Sequence, residues 1–380
     1  MDLLEKIFKE INIINKESQL YISTLDVDAF MSLPNGSIRF SRGINLLIGE
    51  NASGKSQILK LIYSVIEANN EIISENKNSD YEKQRIIAKN LTDIFKTEKL
   101  GNLVNKDKKE SKVTLNLNEY KLSFKFGSNS SKEVSRHLTN FKQDFIYNKV
   151  VFIPVKEVLS FYKGFRIIYE RKYLEFDKTY YNLCRALEEP LLKETQFNSI
   201  ILELEKILDG KIEIINGRFY LISDKGKFEI NLVAEGLRKI GMLAYLLSNE
   251  ALDRNSILFW DEPEANMHPK LIDDIIYFLV LLANKGIQIF ISTHSPYVIE
   301  SLNNHLKRHK IEKLDIEDSE IKNIVPLNPK KISAYLLENN SLIDILDKEL
   351  ELLDDKLLHN FNDINALYEK MRDIEWDNDL

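Results

Sequence analysis

The chain has 380 residues, 44% of them hydrophobic and 29% charged, which is enough for two or three folded units and excludes an intrinsically disordered polymer. Its only cysteine, Cys184, excludes an intramolecular disulfide framework and a thiolate metal cluster. The net charge of −7 is uneven: residues 341–380 hold twelve acidic and four basic side chains, leaving the rest near neutral and arguing against bulk-charge coating of nucleic acid.

The start, "MDLLEKIFKEINI", is acidic and amphipathic and lacks the basic head and cleavage site of a secretory signal, so the expected compartment is the cytoplasm. Residues 18–48 alternate and punctuate like antiparallel strands, with a turn at "LPNGS". "NLLIGENASGKSQILKLI" (45–62) then runs from a buried strand through a glycine-bracketed loop into a helix ending near Asn69. Residues 70–112 are polar and lysine-rich, read as helices with exposed faces and a loop at "NKDKKESK". "KVTLNLNEYKLSFKF" (112–126) reads as a hairpin, and "VVFIPV" (150–155) as a buried strand. Residues 157–209 are helical and aromatic, which reads as an aromatic-packed lobe. "KIEIINGRFYLIS" is a hairpin turning at Asn216–Gly217. A helix opens near Gly236, a buried strand lies at 256–260, an apolar helix at 270–284 and a strand, "IQIFIST", ends at Thr293. The longest apolar run, "IIYFLVLLA", is too short to cross a bilayer, so no membrane partner is expected. The final 40 residues read as one or two amphipathic helices with an acidic surface.

The loop from Gly49 to Ser56 spells G-x-x-x-x-G-K-S. Its glycines let successive backbone N–H groups turn inward around a phosphate at the positive end of the new helix. Lys55 is placed to reach the β- and γ-phosphates, and the Ser56 hydroxyl to ligate Mg²⁺. Gly49, Asn51, Ala52, Ser53, Gly54, Lys55, Ser56 and Gln57 are therefore the expected contacts to ATP. "SILFWDEPEANMHP" supplies the carboxylates: Asp261, leaving a buried strand, can hold Mg²⁺ through water, and Glu262 can orient or deprotonate the attacking water. His294, delivered by the next strand, can donate a hydrogen bond to the γ-phosphate.

Phosphate loop, D-E-P after an apolar strand and S-T-H-S-P after the next, in that order, resemble the ATPase heads of the ABC superfamily. The resemblance is nearest to the RecF, SMC and OLD branch, and within it to stand-alone AAA-type ATPases of prokaryotic defence loci; it covers about residues 18–305. It implies an α/β P-loop NTPase fold: a mixed, mostly parallel sheet with an inserted helical and hairpin lobe. It also implies a homodimer, or higher oligomer, sandwiching two ATP molecules, each site completed by the partner's signature segment. The matching stretch is "VAEGLRKIGMLAYLL", with Gly236 at the helix start and Arg238 and Lys239 in its first turn. Ala234 stands where the phosphate-binding serine is expected, so Gly236 backbone donors and Arg238 inherit that role. Gln143 is the best-placed candidate for the Mg²⁺-sensing glutamine.

The expected organisation is 1–69 and 236–305 as the two parts of the nucleotide-binding domain, 70–235 as the inserted lobe and 306–380 as an acidic helical region. The expected function is Mg²⁺-dependent ATP hydrolysis driving a dimer that switches a separate effector protein in anti-phage defence or genome maintenance. That choice rests on the few residues left after the His294 helix, too few for the nuclease domain of OLD-like proteins. The alternative is a RecF-like clamp with nucleic acid as partner; a transporter ATPase subunit ranks below both. The acidic tail is expected either to pack on the head or to dock a basic partner.

Overall fold

The computed structural model describes residues 21–118, 120–139, 149–171, 175–314, 316–354 and 370–372. β1 (Ile22–Asp28) and β2 (Gly36–Arg39) pair antiparallel and lead into β3 (Ile44–Gly49), all six of whose residues are buried. The glycine loop follows, then α1 (Lys55–Ser74) and α2 (Asp80–Phe95). Ser79 caps α2 and exchanges hydrogen bonds with Glu82, a reciprocal start signal written in "SDYE". β4 (Glu110–Leu117), β5 (Lys121–Gly127) and β6 (Ser135–Thr139) return along β1, giving a five-stranded antiparallel sheet in the order β2-β1-β4-β5-β6.

The second sheet carries the chemistry. β7 (Val150–Ile153) lies on its edge and is followed by a lobe of α3 (Phe165–Glu170), α4 (Lys178–Ala186), α5 (Asn198–Leu208) and the small sheet of β8 (Lys211–Ile215), β9 (Arg218–Ser223) and β10 (Gly226–Glu229). α6 (Glu235–Ser248), β11 (Ile257–Asp261), α7 (Pro269–Asn284), β12 (Gln288–Thr293) and α8 (Pro296–Lys310) complete the alternation. With β13 (Ile332–Glu338) and β14 (Ser341–Asp344) the order is β14-β13-β3-β12-β11-β7, parallel except for β14.

Both faces of this sheet are covered, which is why its strands read as unbroken apolar runs. Leu47, Phe152, Phe259 and Phe290 share one core with α1 and the antiparallel sheet. Leu46, Ile48, Leu258, Trp260, Ile289 and Ile291 share the other with α6, α7 and α8. Phe152 stacks on Phe259 and Phe259 on Phe290, with centroids 6.1 and 4.9 Å apart, so an aromatic ladder holds the three parallel strands in register beneath α1.

Three expectations change. The span 70–235 is not one inserted lobe: β4 to β6 belong to the antiparallel sheet and β7 to the central one, so the insertion proper begins after Ile153. Within it the aromatics do pack on one another, Phe161, Phe165, Phe176 and Tyr180 forming a cluster with centroids 4.7–6.3 Å apart. Next, the region after 306 is not wholly helical. β13 pairs with β3, and β13 and β14 form a hairpin through Asn339 and Asn340, both at positive φ (49° and 58°). That two-residue loop is a turn signal the tail's helical spacing obscures.

Finally, the tail does not begin as an amphipathic helix: Leu342 lies in β14, and Ile345 and Leu353 are buried in the core. Asn303 of α8 anchors Leu353 through two backbone hydrogen bonds. Residues 355–369 and 373–380 lie outside the described residues. A chain ended at residue 340 loses two buried aliphatic side chains, at about 2–5 kcal/mol each, and bares the edge of β13. The expected outcome is a clearly lowered melting temperature or insolubility; an unchanged thermal transition would show the segment to be dispensable.

Candidate functional site

Strand register assembles the site. Ile48 pairs with Thr293, Ser292 with Asp261, and Trp260 with Ile153, so the carboxyl ends of β3, β12, β11 and β7 meet at one edge. In a parallel sheet this is the edge where ligands bind.

The loop wraps this edge with Gly49, Ala52 and Gly54 at φ of 155°, 65° and 105°. A Cβ at Gly49 would lie 2.5 Å from the Leu337 carbonyl oxygen and 2.8 Å from Ser53 Oγ, so the close passage of β13 requires glycine there. Lys55 is 4% exposed and folds back over the loop, its Nζ donating to the carbonyls of Gly49 (2.8 Å) and Glu50 (2.7 Å). Burial lowers its pKa, opposed by the carboxylates of Glu262, Asp261 and Glu264. Asn51 and Ala52 are exposed at the loop tip.

Ser56 Oγ donates to Asp261 Oδ1 at 2.7 Å, and the Ser292 hydroxyl bonds the same oxygen. Burial raises the Asp261 pKa, countered by these two hydroxyls. The hydroxyl and the carboxylate give a hard-oxygen donor set of the kind Mg²⁺ takes. Among the described residues, Ser53 Oγ and Gln57 Oε1 are buried with no hydrogen-bond partner. Lys55 meanwhile bonds only its own loop's carbonyls. These groups fit a triphosphate with its metal, which would give each of them a partner.

Glu262 adopts φ 50°, a left-handed conformation uncommon outside glycine, and its N–H donates toward the Ser292 carbonyl (3.1 Å) and hydroxyl (3.2 Å). Its side chain thereby turns out of the strand line toward His294, whose Nδ1 lies 3.4 Å from Glu262 Oε1 and 3.7 Å from Glu264 Oε1.

Gly236 packs the start of α6 against α7, where an added Cβ would meet Leu271 Cδ1 at 3.0 Å. Ala234 occupies the N-cap of α6 and is exposed, with no side-chain capping bond. Arg238 is tied within its own chain, Nε 3.1 Å from Glu157 Oε2. Burial pushes the Glu157 pKa up and Arg238 pulls it down. Gln143 lies outside the described residues; it precedes β7, whereas the segment leaving the far end of β7 beside Trp260 contains Lys156 and Glu157.

Glu157, Lys239 and Glu264 are buried charges to which the sequence reading gave no role. Lys239 is wholly buried, its pKa lowered by burial, and its Nζ donates to the carbonyls of Ala265 (2.7 Å) and Pro263 (3.4 Å). It pins the turn after β11 to α6. Glu264 accepts from the Thr293 hydroxyl and from the His294 N–H (3.2 Å). The available signal was an acid or a base set among apolar neighbours, which by itself also describes a solvated face.

The family described as "AAA domain, putative AbiEii toxin, Type IV TA system" matches residues 104–300, just over half of the chain. The Old nuclease of Escherichia phage P2 is 30% identical over 144 residues, or 34% of this chain and 22% of that protein, so the match spans about a fifth of the relative. Among solved structures, an Smc head bound to the C-winged helix domain of ScpA is similar in fold, with a TM-score of 0.50 and 14% identity, covering 87% of this chain and 100% of that one. The recombination mediator protein RecF of the RecFOR pathway aligns at a TM-score of 0.43 and 15% identity, covering 86% and 98%. The phosphate loop, the strand-end carboxylates and His294 lie on one edge of the central sheet, and the chain belongs to this AAA-domain family.

Proposed function

We propose that the protein hydrolyses ATP to ADP and phosphate with Mg²⁺, and that ATP closes two copies into a sandwich which switches a separate effector in anti-phage defence or genome maintenance. The observation that carries the proposal is the convergence of Lys55, Ser56, Asp261, Glu262 and His294 on one edge of the central sheet. The loop N–H groups and Lys55 bind the phosphates, Lys55 exchanging its two carbonyl partners for phosphate oxygens. Ser56 and Asp261 hold Mg²⁺, which neutralises charge on the phosphate oxygens when bound. Glu262 takes the proton of the attacking water or orients it, and His294 donates to the γ-phosphate. The uncapped start of α6 offers N–H donors to the nucleotide of a second copy. The adjoining Leu232, 78% exposed, supplies apolar surface for that contact.

Similarity to a family described by an AbiEii toxin of a type IV toxin–antitoxin system, and to a phage nuclease, supports a defence setting. The Smc head, solved with a ScpA domain on it, supports a head that carries a partner protein. No helix among the described residues is long and apolar enough to cross a membrane. Sedimentation of the Glu262→Gln variant tests the sandwich. ATP with Mg²⁺ is expected to double its mass at micromolar protein, and an unchanged monomer would count against the closing step.

A further inference from the structure

We propose that Glu264 is a positioning residue of the hydrolytic edge, clamping the turn after β11 to the end of β12 so that the His294 ring stands beside Glu262. The proposal rests on the ATPase reading above. The Glu264 side chain is 5% exposed, and its Oε1 accepts from both the Thr293 hydroxyl and the His294 N–H. Thr293 and His294 are thus oriented by one oxygen from the neighbouring strand's loop. The turn that bears Glu264 is itself held by Lys239 of α6, through the carbonyls of Pro263 and Ala265. The position of the ring, 3.4 Å from Glu262, therefore depends on a chain of buried polar contacts running from α6 to β12.

Stability does not account for this carboxyl. Its second oxygen, Oε2, is buried with no hydrogen-bond partner, and such an orphan is a net cost to the fold. Burial is also the main influence on Glu264, raising its pKa, while the Thr293 hydroxyl and the His294 N–H pull it down. A group that costs stability yet orients two residues at a reacting edge has the profile of a positioning device.

The test compares Glu264→Gln and Glu264→Ala in the full chain. Glutamine keeps an acceptor where Oε1 sits, and its kcat is expected to stay within about threefold of wild type. Alanine removes the clamp, and kcat is expected to fall about 10- to 100-fold while KM and the affinity for a non-hydrolysable ATP analogue stay within about threefold. Independently of turnover, hydrogen exchange at the His294 amide is expected to rise at least about tenfold in the alanine variant and to stay protected in the glutamine variant, with Ile289 and Ile291 unchanged in both. Wild-type kcat in the alanine variant, equal loss in both variants, or a KM rising in step with the fall in kcat would each overturn the proposal. If the wild-type protein hydrolyses no ATP, the ATPase reading fails, and the exchange comparison still decides the clamp.

Discussion

Replacing Lys55 by alanine is expected to weaken ATP binding by about 10²- to 10³-fold, equivalent to about 3–4 kcal/mol for the loss of two charge-assisted phosphate contacts. The fold itself should tolerate the change. The lysine is buried with its pKa lowered, so its ammonium gains little from its surroundings, and the two loop carbonyls it bonds can turn to water. A thermal transition within a few degrees of wild type, together with loss of a fluorescent ATP analogue's signal, is the expected pair of results. Equal affinity in the two proteins would remove the phosphate site from Gly49–Ser56.

Glu262→Gln is expected to behave in the opposite way, binding ATP at wild-type strength while turnover falls by about 10²- to 10⁴-fold. The amide is isosteric, and the backbone bonds that hold residue 262 at φ 50° belong to its N–H and not to its side chain. What disappears is a carboxylate able to accept the water's proton, an interaction made on the way to the transition state and not with bound ATP. Steady-state hydrolysis beside an equilibrium titration separates the two effects. Turnover within about fivefold of wild type would transfer the base role to another group.

The parts of the site that were legible in the sequence are those whose chemistry dictates both residue type and short spacing. The eight residues from Gly49 to Ser56 read correctly as strand, loop and helix because a phosphate-binding turn needs glycine at its tight points and an amphipathic helix after it. Asp261 ends one fully buried strand and His294 follows another, both marked as interior by their apolar runs, and Asn216–Gly217 announces its hairpin by dipeptide alone.

The partners of those elements were not legible. β13 joins β3 through pairs such as Leu337 with Gly49, about three quarters of the chain apart, and its seven residues carry too short a period to be told from a helix turn. β4 was placed with an insertion because nothing local says that Val113 will pair with Val27. The roles of Glu157, Lys239 and Glu264 depend on burial, and a charged residue in a sequence carries no mark of whether its surroundings will be water or protein. Local covalent and steric demands, acting within a few residues, were written into the order of amino acids. Register between distant strands and the desolvation of single charges arise only when the whole chain closes around them, and those decided where Glu262 and His294 stand.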